Sequence, residues 1–211
     1  MSYSNDKKEE LVLNVYNVFI KYGLKSVTVD DLARELGISK KTLYRFFENK
    51  DDIVNQVVIL LIDNMNEMVN KALIINDDIL DKLVGIYDNM VKYMSNINPI
   101  FFITLEKYYK KQYLLLINSR DKEYYKTIKE TILTGIERKL FRDDLPVDNL
   151  IYSQLNHINL LLFGNYSKDS PPISFDLKTF YAILFNEIRG MATIENYNKV
   201  EQKYTEIINK L

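Results

Sequence analysis

Three helix starts and one glycine turn lie within a short stretch of this chain, residues 28–52. Thr28 is followed three residues later by Asp31, which is the spacing of a capping box. In that motif a hydroxyl and a returning carboxylate bind backbone N–H groups that the helix leaves free. Leucines at helical spacing follow the box. The pattern predicts a first short helix at residues 29–36.

A second helix start follows directly after a turn residue. Gly37 lies where a helix can end in the left-handed conformation that glycine adopts without strain, and Ser39 can cap the next helix through its hydroxyl. These residues predict a second short helix at residues 40–47. Asn49 can cap a third helix, predicted to cover residues 50–73. Two short helices joined by such a turn form a helix-turn-helix.

The second helix of this motif carries concentrated positive charge. Residues 37–50 contain four cationic side chains and one acidic side chain, whereas the net charge of the whole chain is -1. Cationic side chains neutralise DNA phosphates, and Lys, Arg and Thr can contact base edges in the major groove. The alternative is a helical hairpin whose lysines only face solvent. Because the caps, the glycine turn and the run Tyr44, Phe47 and Lys50 occur together in register, DNA binding is the favoured interpretation.

The sequence of residues 37–53, GISKKTLYRFFENKDDI, resembles the DNA-binding domain of TetR family transcriptional regulators, and the resemblance extends over residues 11–52. It implies that the second helix enters the major groove and that Tyr44 and Lys50 hold phosphates. Two positions depart from the family pattern. Lys41 replaces a residue that is often small, and Phe46 replaces a His or Tyr whose hydrogen bond to a phosphate Phe46 cannot donate. The candidate DNA-binding residues are Thr28, Ser39, Lys40, Lys41, Thr42, Tyr44, Arg45 and Lys50.

The remainder of the chain agrees with this resemblance as a helical pattern. With 6 glycines, 4 prolines and long periodic apolar runs in 211 residues, the chain is predicted to be all-α. We predict an N-terminal three-helix helix-turn-helix DNA-binding domain at residues 1–50. A C-terminal helical ligand-binding and dimerisation domain is predicted at residues 51–211.

The apolar periodicity also predicts the other helices. The first, at residues 6–22, is predicted to face the core with Leu11, Val15, Val18 and Tyr22. Helices after the third are predicted at residues 76–95, from residue 100 onward, and at residues 121–141, 147–163, 175–190 and 194–211.

Composition and motifs argue against several other classes of protein. The chain has no cysteine and one histidine, so the sequence favours neither thiolate chemistry nor a His and Cys metal site. No glycine-rich phosphate loop, nucleophile elbow or placed pair of carboxylates indicates an enzyme. The N-terminus is polar, and the longest apolar run, residues 57–62, is too short to span a bilayer. We therefore predict a cytoplasmic protein that is not an enzyme and has no metal, cofactor or membrane partner.

Aromatic residues are numerous, with 16 tyrosines and 10 phenylalanines, and several cluster at residues 99–116. Aromatic faces with a few polar tips suit a largely apolar small-molecule pocket. The family resemblance implies that such a pocket lies in the C-terminal helices and that an unidentified small-molecule effector weakens operator binding. Each of these side chains can instead belong to the core, and His157 can be structural. The candidate ligand-binding residues are Tyr87, Met90, Met94, Phe102, Tyr109, Tyr113, Tyr125, His157 and Phe163.

The resemblance further implies a homodimer on double-stranded DNA. Two second helices about 34 Å apart can bind successive major grooves of a palindromic operator. The dimer contact is expected in the final apolar helices unless the same leucines fill the core of the monomer. The residues concerned are Leu155, Ile158, Leu162, Phe180, Ile183, Leu184 and Glu187.

Two hypotheses about function follow. The leading one is a repressor that a small, largely apolar ligand releases from its operator. The alternative is a helix-turn-helix regulator whose C-terminal domain binds a protein partner rather than a small ligand.

Overall fold

The computed structural model describes the backbone of residues 2–75, 78–163 and 177–210, together with their side chains apart from those of residues 2–5, 75, 158, 160–163 and 177. Within these ranges all regular secondary structure is helical, which confirms the predicted all-α fold. In chain order the helices are α1 Ser2–Tyr22, α2 Val29–Glu35, α3 Lys40–Leu43, α4 Lys50–Ile75, α5 Ile79–Ser95, α6 Pro99–Tyr108, α7 Lys110–Glu137, α8 Val147–Phe163, α9 Leu177–Met191, the 3-10 helix Ile194–Asn196 and α10 Tyr197–Ile208.

Four helix starts agree with the prediction to within one residue, and each follows a capping side chain. α2, α3 and α4 begin directly after Thr28, Ser39 and Asn49, and α6 begins after Asn98, whose side chain accepts a hydrogen bond from the Ile100 N–H. α8 has the predicted bounds. Side-chain caps therefore located these helices because they satisfy N–H groups that no other residue of the helix can satisfy.

Several predicted bounds are wrong. α1 begins at Ser2 rather than at residue 6, and α4 ends at Ile75 rather than at residue 73. α3 ends at Leu43 rather than at residue 47. α7 begins at Lys110 rather than at residue 121, since only Tyr109 leaves helical geometry between α6 and α7. α7 also ends at Glu137 rather than at residue 141, because Lys139 adopts a positive φ of 57° and closes the helix.

The other helix ends fall partly beyond what the structure describes. The predicted helix starts at residues 76 and 175 and the predicted end at residue 211 lie outside the described residues. The last predicted helix, residues 194–211, opens as a 3-10 helix before α10 begins at Tyr197.

Packing divides the chain into two compact units. The first comprises Met1–Met68 and Met90–Lys122, and the second comprises Val69–Asn89 and Glu123–Leu211. Their extents differ from the predicted domains at residues 1–50 and 51–211, and that functional boundary stays a prediction.

The core of the first unit shows that the predicted phase of α1 is wrong. Val15 is buried as expected, but Tyr22 is 48% exposed, and the buried stripe of α1 is Val12, Val15, Tyr16 and Phe19. Tyr16 and Phe19 occupy the inward positions, because an aromatic side chain there buries more area than Leu11 or Val18 would. The helix-turn-helix adds the buried residues Leu32, Leu43, Phe47, Ile53 and Val57.

The core of the second unit contains residues that were expected at a dimer contact. Leu155, Phe180 and Leu184 are buried within the chain, which agrees with the alternative that they fill the monomer core. The side chains of Ile158 and Leu162 lie outside the described residues. Further buried residues of this unit are Leu80, Leu83, Ile128, Ile132, Ile151, Phe185 and Ile188.

Candidate DNA-binding surface

The first helix of the motif is fixed at its start by a complete capping box. The Thr28 hydroxyl accepts a hydrogen bond from the Asp31 N–H at 3.1 Å, and the Asp31 carboxylate accepts one from the Thr28 N–H at 3.0 Å. The Thr28 hydroxyl also donates to this carboxylate at 2.6 Å. These bonds from Thr28 hold the pKa of Asp31 below its ordinary value. The predicted box is confirmed, and it uses the hydroxyl of a candidate DNA-binding residue.

The turn between α2 and α3 satisfies the last carbonyls of α2. The Gly37 N–H donates to the Arg34 carbonyl at 3.2 Å, and the Ile38 N–H donates to the Ala33 carbonyl at 3.0 Å. This is the Schellman pattern, and Gly37 has the positive φ of 64° that the pattern needs. The following Ser39 caps α3 as predicted. The angle at which α3 leaves α2 is therefore set by glycine geometry and backbone hydrogen bonds.

α3 tightens at its C-terminal end. The Arg45 N–H donates to the Thr42 carbonyl at 3.2 Å, and the Phe46 N–H donates to the Leu43 carbonyl at 3.0 Å. These spacings of three residues belong to a 3-10 turn rather than to an α-helix. The chain must leave the helix here, because Asn49 caps α4 by accepting from the Asp52 N–H at 2.9 Å.

The side chains predicted to meet DNA lie on the outer side of α3 and of the 3-10 turn that follows it. We call Lys40, Lys41, Tyr44 and Arg45 the basic face, and all four are exposed, with Tyr44 44% exposed. Thr42 is half-buried, and its hydroxyl lies 2.8 Å from that of Ser39. The structure therefore brings the α3 candidates together on one accessible surface beside the capped start of the helix.

The cations of the basic face differ in their partners. Lys40 Nζ lies 3.0 Å from the carboxylate of Asp30 on α2, and this hydrogen bond raises the pKa of Lys40. In contrast, the side chains of Lys41 and Arg45 make no hydrogen bond or ion pair with any residue that the structure describes. Lys41 and Arg45 are thus the cations most available to phosphate oxygens or base edges.

Lys50 is the candidate whose surroundings differ most from the expectation. Its Nζ donates to two backbone carbonyls, those of Leu24 and Val27, at 2.6 Å each. Partial burial lowers the pKa of Lys50. The ammonium therefore fastens the loop between α1 and α2 to the start of α4. A phosphate contact by Lys50 stays a prediction, and this geometry favours a positioning role.

The same loop is also held by α6, through hydrogen bonds that no sequence pattern indicates. The Leu24 N–H donates to the Thr104 hydroxyl at 3.2 Å, and Lys25 Nζ donates to the Tyr108 hydroxyl at 2.8 Å. Asn98 caps α6, and its N–H donates to the Ile20 carbonyl at 3.0 Å. These long-range bonds place the loop that ends in Thr28, and periodicity along the chain cannot reveal them.

The nine candidate ligand-binding residues are divided between the two units. In the second unit Tyr87 and His157 line a small cavity of about 10 Å³, while Tyr125 binds Asp148 at the surface at 2.7 Å. In the first unit Met90, Met94 and Phe102 are buried, and Tyr109 and Tyr113 are half-buried. The side chain of Phe163 lies outside the described residues. Gln154, which no sequence pattern indicated, lines the same small cavity and lies on α8 one turn before His157.

The described residues show neither a metal site nor a membrane-spanning helix. They contain no group of three or more His, Cys, Asp or Glu side chains arranged to hold a metal ion. No helix in that part of the chain combines the length and apolar character that crossing a membrane requires.

Known proteins are similar to this chain over the helix-turn-helix, and some of the matches extend over most of the chain. The sequence model of the family described as "Bacterial regulatory proteins, tetR family" matches residues 16–57. The HTH-type transcriptional repressor KstR2 of Mycolicibacterium smegmatis is 26% identical over 149 residues, covering 69% of this chain and 72% of the repressor. The Staphylococcus aureus negative transcriptional regulator of the biofilm operon icaADBC, IcaR, is 31% identical over 62 residues, covering 29% of this chain and 33% of that regulator.

Solved structures are similar over most of the chain. The ketosteroid transcriptional regulator KstR2 of Mycobacterium tuberculosis has a TM-score of 0.61 at 19% identity, covering 89% of this chain and 95% of that one. A gamma-butyrolactone receptor described as ArpA-like has a TM-score of 0.67 at 13% identity, and the match covers 100% of both chains. At these identities the structural matches establish a shared fold.

Proposed function

Since this chain belongs to the TetR family of DNA-binding transcriptional regulators, we propose that it is a repressor, bound as a homodimer to a palindromic operator and released by a small, largely apolar ligand. The protein acts in the cytoplasm, where that operator is accessible. Repression follows when the bound dimer blocks access of the polymerase to the promoter.

The exposure of the basic face is the main observation in favour of DNA binding. Lys41 and Arg45 are exposed cations with no internal partner among the described residues, and Tyr44 is exposed between them. α3 itself is held by the Ser39 cap and the Gly37 turn, so these side chains are presented from a fixed backbone. Preorganised cations on a short helix favour phosphate contacts and base contacts in a major groove.

The proposed homodimer is supported by the geometry of palindromic operators. A single short helix contacts few base pairs, and a second copy on the next turn of the DNA multiplies the affinity. Since Leu155, Phe180 and Leu184 are buried within the chain, the dimer contact is expected to use other residues of the last helices. Tyr152 on α8, which is 59% exposed, is one such residue.

The ligand part is supported by polar atoms inside the second unit. The hydroxyl of Tyr87, the amide of Gln154 and one carboxylate oxygen of Glu187 are buried and have no hydrogen-bond partner at normal geometry among the described residues. Native proteins satisfy nearly all such groups, so a cluster of them favours a site that receives a partner.

A protein partner remains the second candidate because of another surface of the second unit. The cavity beside Tyr87 is only about 10 Å³. An open groove elsewhere in this unit is lined by Ile136, Phe141 and Ile194, and Ile194 is 93% exposed. Exposed apolar side chains beside a groove are typical of protein interaction sites.

Transcription in a purified system tests the proposal. The template carries the DNA that flanks this protein's own coding region, and we expect wild-type protein to reduce the transcript while the double variant Lys41→Gln/Arg45→Gln does not. An organic-solvent extract of the producing cells should restore transcription if a small apolar ligand is the effector. Restoration only by the protein fraction of a lysate would favour the second candidate. An increased transcript on protein addition would contradict repression.

A further inference from the structure

Four polar side chains converge inside the second unit at a place that DNA binding does not use. Tyr87 on α5, Gln154 and His157 on α8, and Glu187 on α9 line one cavity, and we call these residues the polar cluster. The rest of the lining is apolar and comes from Phe180, Ile183 and Leu184. Tyr87 is 1% exposed and Gln154 is 2% exposed, whereas His157 and Glu187 are half-buried.

The hydrogen bonding of the polar cluster is incomplete on one side. Glu187 Oε1 accepts from the Ser153 hydroxyl at 3.1 Å and lies 3.2 Å from His157 Nδ1. Its other oxygen, Oε2, has no partner at hydrogen-bond geometry among the described residues, and neither does either polar atom of the Gln154 amide or the Tyr87 hydroxyl, although that hydroxyl is near the polar ends of Tyr124 and Gln154. Buried polar atoms left in this state destabilise a fold, so their retention needs a reason.

The chemistry of these atoms restricts what can satisfy them. Burial raises the pKa of Tyr87, so its hydroxyl stays neutral and can both donate and accept. The Gln154 amide can also do both, whereas a Glu187 carboxylate oxygen can only accept. A matching group must therefore donate to Glu187. A hydroxyl or an amino group meets this requirement, and a carboxylate does not, because it has no proton to donate and carries the same charge.

We propose that the polar cluster binds the hydroxyl or amino end of an apolar effector, with the apolar part packed against Phe180, Ile183 and Leu184. This proposal rests on the proposed control by a small ligand and names the chemical class of that ligand. The effector class is thus an apolar alcohol or amine rather than a carboxylic acid.

The size of the cavity gives the binding event a structural consequence. A cavity of about 10 Å³ has room for no more than one water molecule. An effector must therefore separate α8 from α9 where Ser153 and His157 meet Glu187. Ligand binding then favours a state with a wider gap between these two helices. The population shifts by as much as the ligand's affinity for that state exceeds its affinity for the closed state.

The first test needs no ligand and compares two tyrosines of the second unit. Tyr87→Phe removes a hydroxyl without a partner, whereas Tyr181→Phe removes a hydroxyl that donates to Asp88. We expect Tyr87→Phe, and likewise Gln154→Met, to leave the Tm unchanged or raise it, while Tyr181→Phe lowers it. If Tyr87→Phe and Gln154→Met lower the Tm as much as Tyr181→Phe, the polar cluster is an ordinary satisfied part of the core and the proposal is wrong.

The second test uses three probes with one apolar chain and different polar ends. 1-Octanol, octylamine and octanoate are added at equal concentrations to full-length protein, and the Tm is followed. We expect the alcohol and the amine to raise the Tm and octanoate to leave it unchanged. Glu187→Gln should weaken the response to octylamine about tenfold, since a hydrogen bond to a charged group is lost. An equal response to all three probes, a larger response to octanoate, or no response to any probe would overturn the proposal.

The same protein separates this proposal from the repressor function. Binding to operator DNA is measured without any probe, and the Tm is measured without any DNA. If the protein binds its operator but no probe changes the Tm, only the assignment of the polar cluster fails. If the alcohol and the amine raise the Tm but no operator is bound, the repressor function fails and the ligand site stands.

Discussion

Replacement of Lys50 by methionine distinguishes a positioning role from a phosphate contact. Methionine keeps the length of the side chain and removes the ammonium, which donates to the Leu24 and Val27 carbonyls at 2.6 Å each. A hydrogen bond to a charged group contributes about 1.5–3 kcal/mol, and two bonds from one ammonium are not additive. We therefore expect Lys50→Met to lower the free energy of unfolding by about 2–4 kcal/mol. Denaturant unfolding measures this change.

The matched variant is Lys41→Gln. Lys41 is exposed and has no internal partner among the described residues, so its loss should leave the free energy of unfolding unchanged. If Lys41 neutralises one phosphate, the slope of log Kobs against log salt should fall in magnitude by about 0.9. When only the folded fractions are compared, Lys50→Met should have the same salt slope as wild type. Fluorescence anisotropy with labelled operator at several salt concentrations measures both slopes.

One outcome would refute this reasoning. If Lys50→Met keeps the free energy of unfolding of wild type but reduces the salt slope by about 0.9, then Lys50 is a phosphate contact. Its bonds to the loop carbonyls would then contribute nothing to stability.

Three further variants or titrations test the local geometry. Gly37→Ala should destabilise the protein by about 1–2 kcal/mol in denaturant unfolding, because alanine is strained at a positive φ, whereas Gly37→Asn should lose less. The pKa of Asp31 should lie below its ordinary value of 3.8 in an NMR titration, because Thr28 donates to its carboxylate. Its contribution to stability is then complete above pH 3.8 and is lost as the pH falls through that lower pKa. Gly135→Ala should lower the Tm more than Gly37→Ala, because the new Cβ would lie 2.3 Å from the Phe141 ring.

The helix-turn-helix could be predicted from sequence because its determinants are local. Thr28 with Asp31, Gly37 and Ser39 act on backbone groups within a few residues, and each makes the bond that its type and spacing indicate. The end of α3 was missed, since a 3-10 turn and one more helical turn place Leu43 and Phe47 on similar faces. Only the geometry of the next cap at Asn49 decides between them.

Other features depend on contacts between distant residues. The phase of α1 depends on which side chains the neighbouring helices cover, and so the inward positions of Tyr16 and Phe19 do not follow from periodicity alone. The internal role of Lys50 needs the position of the Leu24 carbonyl, which α6 helps to fix through Thr104. Neither relation leaves a spacing pattern in the sequence.

The candidate ligand-binding residues also depend on contacts that a sequence pattern does not contain. An aromatic residue at core spacing is equally suited to a pocket wall and to a packed core, and Met90 and Phe102 are buried. Gln154 was missed because a glutamine on an apolar helix has no distinctive spacing. It becomes informative only because its amide is buried with no hydrogen-bond partner among the described residues.

Competition between operator and scrambled DNA tests the central claim most directly. The purified protein is titrated against labelled DNA from the region flanking its own coding sequence, with scrambled DNA of the same length and composition in excess. We expect binding that resists the competitor, weakens with salt, and is lost in Lys41→Gln/Arg45→Gln while the variant keeps the Tm of wild type. Equal affinity for flanking and scrambled DNA, or full binding by the double variant, would contradict sequence-specific recognition through the basic face.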